Sequence, residues 1–274
     1  MNQDRFRVPG KWVLAGEHAV LRGATAVALP HPEYFLSLEV TEARELTIFP
    51  RELTGEILDL LKSIRDRWED EDRSFPQLTG NLSIVSSIPM GAGLGSSAAL
   101  SVAFTKWLAR PLGIHEDQFF EFAKSLEHRF HGRSSGMDVA AVLAGEPISF
   151  SIERGSETLG VKKLPKFTFH DTGLRARTSE CVLKVEAFRA EQPMRAMQID
   201  EQMSRASQQA IEGLISGNRA EIASAMQTAH LCFESWQLIP TQARDLEQKL
   251  LAEGALAVKI TGAGGGGFLV ALWK

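Results

Sequence analysis

Residues 89–99 (PMGAGLGSSAA) place three glycines and two serines between a predicted strand and a predicted helix. A helix N-terminus carries unpaired N–H groups and the positive end of the helix dipole, so it favours an anion. Glycines before it let the backbone wrap phosphate oxygens, and the Ser96 and Ser97 hydroxyls could cap the helix or ligate Mg²⁺. The spacing fits neither a dinucleotide fingerprint, which needs glycine at position 96, nor a P-loop, which needs a lysine. Alone, the loop is equally compatible with a phosphate site and with a serine-capped turn.

A second glycine-rich segment, residues 260–268 (ITGAGGGGF), joins two predicted strands. A hairpin needs only a two-residue turn, and ordering so many glycines costs backbone entropy. Close packing against another loop or a ligand explains this composition better than a flexible hairpin tip, which usually carries Asn or Asp.

Three ionisable residues occupy positions where a charged side chain could serve a function. Glu127 falls at the margin of the apolar face of a predicted helix, where a carboxylate is costly unless it is paired, for example with Arg129, or bound to a cation. Asp138 is the only charge in the small, apolar segment 137–144, and helix capping is its alternative role. Lys11 lies on the first predicted strand, where most lysines face solvent.

The surrounding pattern predicts an α+β fold rather than a parallel sheet built from alternating strands and helices. Alternating or short apolar runs predict strands at 12–15, 25–29, 34–40, 81–88, 255–260 and 268–272. Helical spacing of apolar residues predicts helices at 52–68, 97–108, 116–130, 179–190, 200–216, 219–236 and 242–253. The change from a mixed first half to a mainly helical second half places a boundary near residues 164–165.

Composition excludes several classes of function. The length of 274 residues suits one large domain or two modest ones. The composition, 44% hydrophobic and 23% charged, is ordinary for a globular protein. The net charge of −4 argues against nucleic-acid partners and anionic membrane surfaces. No apolar run approaches the ~20 residues of a membrane helix, and the first residues lack the apolar core of a secretion signal. The two cysteines, Cys181 and Cys232, form no disulfide framework, so we expect a soluble, cytoplasmic protein.

Three segments resemble, in order, the three motifs of the GHMP small-molecule kinases. They are residues 8–20 (VPGKWVLAGEHAV), the 89–99 loop and residues 259–267 (KITGAGGGG). The resemblance spans nearly the whole chain, and three ordered motifs are far more specific than one. The GEHAV form of the first motif is most similar to that of mevalonate kinases.

The resemblance implies a two-domain α+β GHMP kinase fold. An ATP-binding domain of the ribosomal-protein S5 second-domain type would occupy residues 1–164, and a ferredoxin-like domain residues 165–274. ATP would lie between them, with its phosphates on the loop residues Pro89, Gly91, Ala92, Gly93, Leu94, Gly95, Ser96 and Ser97. The third motif would pack beside that loop and shape the acceptor pocket.

The resemblance also implies roles for individual side chains. Ser97 and Glu127 would ligate Mg²⁺, since the family has a Glu ligand eleven residues before the aspartate of its S-G-x-D motif, as Glu127 stands before Asp138. Asp138 would be the catalytic carboxylate, with Lys11 beside it keeping it ionised. The substrate-binding region would comprise Glu17, His18, Thr261, Gly262 and Ala263.

The implied reaction is transfer of the γ-phosphate of ATP to an alcohol, with mevalonate as the favoured acceptor. The sequence DVAA at 138–141 is similar to that of phosphomevalonate kinases. Another acceptor within the family, namely phosphomevalonate, a sugar or homoserine, therefore stays open. A non-catalytic nucleotide or sugar sensor is a further alternative, against which the presence of Lys11, Glu127 and Asp138 argues. A homodimer is left open.

Overall fold

The computed structural model describes residues 3–131 and 135–274. Within them the chain forms two β-sheets and eight α-helices, which confirms the predicted α+β class. The strands are β1 (Gln3–Ala15), β2 (Ala26–Thr41), β3 (Leu46–Phe49), β4 (Gly80–Ser86), β5 (Ile148–Ser151), β6 (Gly155–Thr158), β7 (Phe167–Asp171), β8 (Ala257–Ile260) and β9 (Phe268–Leu272). The helices are α1 (Thr54–Asp70), α2 (Ser96–Leu112), α3 (Phe119–His131), α4 (Met137–Ala144), α5 (Thr178–Glu191), α6 (Pro193–Ser216), α7 (Arg219–Ser235) and α8 (Thr241–Ala252).

The first sheet is organised around the long strand β2. Its order is β3-β4-β2-β5-β6, and β1 also pairs with β2; β3 and β4 run parallel, and the other pairs are antiparallel. The second sheet has the antiparallel order β7-β9-β8. Edge-to-face contacts of Trp12 with Phe167 and Phe169 join β1 to β7, so the two sheets share one apolar core.

A large bulge interrupts the pairing of β1 with β2. Pro9 pairs with Phe35, and Lys11 pairs with Pro30. Between these two pairs β1 advances by two residues and β2 by five. Residues 31–34 of β2 therefore lie opposite Gly10 alone, and the His31 ring nitrogen accepts the N–H groups of Glu33 and Tyr34. Proline lacks the N–H that a regular ladder needs, and a bulge tolerates it. The two strands predicted at 25–29 and 34–40 are therefore one strand.

The other element predictions differ mainly at their ends and at short strands. Strand β1 begins at Gln3 rather than at 12, because Phe6 and Val8 alternate inward with exposed Arg5 and Arg7. Helix α6 begins at Pro193 rather than at 200, since proline suits the first turn of a helix. The strands β3, β5, β6 and β7 have four or five residues each, too few for a periodic signal.

Helix α2 is the buried centre of the first half of the chain. Ala98, Ala99, Val102, Ala103 and Phe104 are fully buried, and the helix packs on β1, α3 and α4. Its small residues allow this close approach, and the packing holds its N-terminus beside β1. In the second half, α6 packs along α7, and α7 covers β8. No helix in the described part of the chain is long and apolar enough to span a membrane.

Candidate active site

The three motif segments meet at one cleft of about 470 Å³. Its walls come from β1 and the turn after it, from the loop that opens α2, from α3 and α4, and from the loop between β8 and β9. The predicted site residues that line it are Lys11, Glu17, His18, Pro89, Gly91, Ala92, Gly93, Leu94, Gly95, Ser96, Ser97, Glu127, Asp138, Gly262 and Ala263. Thr261 is the predicted site residue that does not line the cleft.

Backbone-to-backbone packing joins the second and third motifs. A Cβ on Gly262, whose φ is +84°, would lie 2.7 Å from the Cα of Gly93. A Cβ on Gly267 would lie 2.5 Å from the carbonyl oxygen of Ala92. Both separations are closer than real Cβ contacts, so glycine is required at these positions and the 262–267 segment is not a free hairpin tip.

Helix α2 opens toward the cleft without a side-chain cap. Gly95 occupies the N-cap position in the left-handed conformation, with φ +74°, and no side chain accepts a capping hydrogen bond there. No acidic residue stands in the first turn. The serine-capped turn is therefore not what forms here, and the helix start keeps its capacity for an external anion.

Lys11 and Asp138 form an ion pair inside the cleft. The Lys11 Nζ lies 2.9 Å from Asp138 Oδ1 and donates to the Gly93 carbonyl oxygen at 3.1 Å. The Lys11 side chain is 3% exposed and that of Asp138 30%, so the lysine lies beneath the carboxylate. The Lys11 backbone N–H also donates to the Leu94 carbonyl oxygen at 2.9 Å, which fixes β1 to the glycine loop.

Helices α3 and α4 carry the two acidic residues. Asp138 lies in the first turn of α4 but does not cap it, since Gly136 takes the cap position without a side-chain bond. Glu127 is on α3 and is 1% exposed, so it is fully buried rather than at the margin of the apolar face. Its side chain still lines the cleft that Ser97 and Asp138 line.

Glu17 pairs with Lys259, a partnership that sequence reasoning did not predict. Lys259 Nζ donates to Glu17 Oε1, to the Ile260 carbonyl oxygen at 2.6 Å and to the Val13 carbonyl oxygen at 3.4 Å. Both side chains are buried, with exposures of 1% for Lys259 and 4% for Glu17. Burial raises the pKa of Glu17 and lowers that of Lys259, because each charged form loses its hydration.

His18 is held in one orientation at the back of the cleft. Its Nε2 donates to the Ala263 carbonyl oxygen at 2.9 Å, and its ring packs edge-on against Phe233 and Trp236. Burial lowers the pKa of His18 to about 4, so the ring is neutral at pH 7. Its backbone has φ +59°, a conformation that few non-glycine residues adopt.

Helix α6 holds the end of the first motif in place. The Gly16 N–H donates to the Met203 sulfur at 3.1 Å, and Arg22 Nε donates to Asp200 Oδ2 at 2.7 Å. Both acceptors lie on α6. The turn that carries Glu17 and His18 is therefore positioned by a helix some 180 residues later in the chain.

Thr261 has a different role from the one expected. Its hydroxyl accepts the Val13 N–H at 2.9 Å and donates to the Val13 carbonyl oxygen at 3.1 Å. The β1 backbone thus occupies both the acceptor and the donor of the hydroxyl, and the residue is 1% exposed. This geometry does not support a contact between Thr261 and substrate, because the Thr261 hydroxyl joins the third motif to the first.

Sequence reasoning also missed the apolar wall of the cleft. Besides Lys259, which lies behind it, the unpredicted contributors include Val20 and Leu21 from the turn after β1, Leu100 from α2, Met137 from α4 and Val182 from α5. Their types are those of ordinary core residues, so their composition carried no signal that separates a substrate wall from packing.

Comparisons with known proteins identify the family of this chain. The model for the GHMP kinases N terminal domain matches residues 57–146, and that for the GHMP kinases C terminal matches residues 210–274. The mevalonate kinase of Archaeoglobus fulgidus is 30% identical over 281 residues, 97% of this chain and 91% of that protein. The mevalonate kinase of Thermococcus gammatolerans is 29% identical over 296 residues, 96% and 87% of the two chains.

The solved mevalonate kinase of Methanococcus jannaschii superimposes with a TM-score of 0.82 at 19% identity, covering 100% of this chain and 91% of that one. At that identity the likeness concerns the fold. The start of α2, which has no side-chain cap, lines the same cleft as the Lys11–Asp138 pair. The chain belongs to the GHMP kinase family, and it is an ATP-dependent phosphotransferase that acts on an alcohol.

Proposed function

We propose that this protein transfers the γ-phosphate of ATP to the primary hydroxyl of mevalonate, giving 5-phosphomevalonate. The observation that carries the proposal is the Lys11–Asp138 pair, 2.9 Å between charged atoms, in the same cleft as the open N-terminus of α2. The acceptor is taken from the relatives named mevalonate kinase, which align with 96% or more of this chain.

The loop 91–97 is proposed to hold the triphosphate. Backbone N–H groups at the start of α2 would donate to phosphate oxygens, and the glycines keep side chains away from them. In-line positioning and neutralisation of charge account for most of the catalysis in phosphoryl transfer.

Glu127 and Ser97 fit a Mg²⁺ ion that the substrate phosphates share. Mg²⁺ is usually held by one or two protein oxygens together with phosphate oxygens and waters, and a buried carboxylate is stabilised by a bound cation. Glu127 is 1% exposed and lines the cleft together with Ser97. When bound, the ion would neutralise charge on the transferred phosphate.

Asp138 is proposed to accept or orient the proton of the attacking hydroxyl. It is the more exposed member of its pair, so an acceptor can reach it, while Lys11 supplies a fixed positive charge from below. Proton transfer by a positioned group typically contributes about 10²–10⁴-fold to the rate.

The acceptor pocket is proposed to lie between Glu17, His18 and the Gly262–Ala263 backbone. Glu17 would accept a hydrogen bond from a hydroxyl of the acceptor, and the wall of Val20, Leu21 and Val182 suits a branched hydrocarbon chain. Mevalonate carries a tertiary hydroxyl and a methyl group on one carbon, which matches this division of polar and apolar surface.

Residues 1–164 and 165–274 are proposed as the two domains, since β1 to β6 precede this boundary and β7 to β9 follow it. A cytoplasmic location stays a prediction from the sequence, and a homodimer stays open.

A coupled ADP-release assay tests the proposed reaction. The purified protein is given ATP and Mg²⁺ with mevalonate, phosphomevalonate, galactose or homoserine in separate reactions. We expect turnover of mevalonate with a kcat/KM at least tenfold above the others. Turnover of another acceptor without mevalonate would reassign the substrate, and ATP binding without turnover of any acceptor would support a sensor.

A further inference from the structure

The Lys259–Glu17 pair has a geometry that core packing does not explain. Lys259 has three ammonium hydrogens and three oxygen partners, on Val13, Glu17 and Ile260. Its hydrogen-bonding capacity is therefore complete, and its Nζ also lies 4.9 Å from the Phe233 ring centroid. Lys259 has no hydrogen left to offer a substrate.

Glu17 is the incomplete member of the pair. Its Oε1 receives the Lys259 ammonium group, but its buried Oε2 has no hydrogen-bond partner among the described residues. Leaving a buried polar atom without a partner is destabilising, and such atoms in native structures need an explanation. Glu17 lines the cleft, so a ligand in the cleft can supply the missing donor.

We infer that Lys259 is a positioning residue that fixes Glu17 with one carboxylate oxygen turned toward a hydroxyl group of the acceptor. This inference rests on the proposed function and adds a residue of the third motif to it. Lys259 acts through Glu17 and does not touch the reacting atoms. The contact spans 242 residues of sequence and joins the first motif to the third.

The Lys259→Met variant keeps most of the length of the side chain and removes its charge. We expect the KM for mevalonate to rise at least tenfold while the KM for ATP stays within about twofold. Lys259→Arg, which keeps a cation at this place, should recover part of the loss. A Lys259→Met variant with both KM values unchanged, or raised equally, would overturn the inference.

The Thr261→Val variant distinguishes positioning of Glu17 from general support of the contact between the first and third motifs. It removes the two hydrogen bonds to Val13 but leaves the Glu17 contact intact. A purely structural role for Lys259 predicts the same kinetic pattern in Thr261→Val and Lys259→Met. Lys249→Met, at an exposed lysine on α8, is the control for loss of a positive charge and should match wild type.

The double variant Glu17→Gln with Lys259→Met keeps the test decisive if Lys259→Met fails to fold. It leaves no unpaired buried charge, which is the costliest consequence of breaking such a pair. If Lys259 acts through Glu17, the double variant has the same mevalonate KM as Glu17→Gln alone, within about threefold. A further tenfold loss would show that Lys259 acts independently, and would overturn the inference.

Wild-type turnover distinguishes failure of the inference from failure of the proposed function. If wild type phosphorylates a different acceptor, the proposed substrate is wrong, and the same KM comparison with that acceptor decides the role of Lys259. If wild type turns over no acceptor, both proposals fall.

Discussion

The Lys11 Nζ lies 2.9 Å from Asp138 Oδ1 and 3.1 Å from the Gly93 carbonyl oxygen. One buried ammonium group thus joins the carboxylate on α4 to the glycine loop before α2. A Cβ on Gly95 would lie 2.8 Å from the Lys11 Cγ, so the loop has no room for a side chain there. The distance between the proposed base and the proposed phosphate site is therefore set by a single side chain.

Replacing Asp138 with Asn should lower kcat by about 10²–10⁴-fold, because Asn keeps the size of the side chain but cannot accept a proton. The Kd for ATP, measured by calorimetry, should stay within about threefold of wild type. Asp245→Asn, at an exposed position on α8, is the control and should leave kcat unchanged. Normal turnover in Asp138→Asn would remove the residue from the mechanism.

Replacing Gly262 with Ala should displace the glycine loop and raise the KM for ATP. The new Cβ would lie 2.7 Å from the Gly93 Cα, and the positive φ adds strain of about 1–2 kcal/mol. Gly217→Ala is the matched control, because its φ is +70° and it has no neighbour within 4 Å. Both variants should lose stability in urea, but only Gly262→Ala should change the KM for ATP. Equal kinetics in the two variants would contradict the packing role.

Replacing Glu127 with Gln should weaken the response to Mg²⁺, since the amide oxygen is a poorer ligand for this ion than a carboxylate. We expect the Mg²⁺ concentration for half-maximal rate to rise at least tenfold, measured at saturating ATP and acceptor. Glu121→Gln on the exposed side of α3 is the control. An unchanged Mg²⁺ titration in Glu127→Gln would exclude Glu127 as a ligand.

The protein should lose stability between about pH 6.5 and pH 4, because burial lowers the pKa of His18 to about 4. Above pH 6.5 the ring is neutral in both states and its contribution is complete. As the pH falls through this window the unfolded state binds the proton first, and about 3 kcal/mol is lost. Burial likewise lowers the pKa of His31 to about 4 and also lowers that of His170, so these two residues add to the same slope.

Urea unfolding at pH 7.5, 6 and 5 measures this slope. His18→Asn should flatten it by roughly a third to a half, because the variant lacks one of the three imidazoles whose pKa is lowered by burial. The same pH slope in His18→Asn and wild type would contradict the burial of a neutral ring.

The sequence was informative wherever a short run of residues reflects the conformation or the buried face of its own segment. The glycines at 91–95 and 262–267 report backbone conformations closed to other residues, so they marked the loop and its partner segment before any contact was known. Helical periodicity located α1, α2 and α3 to within a few residues, because burial of one face repeats every turn. The family motifs then brought Lys11, Glu127 and Asp138 to one predicted site, and these three line one cleft.

Only the tertiary structure decided which groups become partners across the chain. Lys259 and Glu17 are 242 residues apart, and each taken alone is an ordinary charged residue. The Thr261 hydroxyl was predicted to contact substrate. Because β8 approaches β1, the hydroxyl forms hydrogen bonds with the Val13 backbone instead. Local spacing fixes the conformation of a segment and the face it buries, but the partner of a buried polar group depends on which distant segment packs against that face.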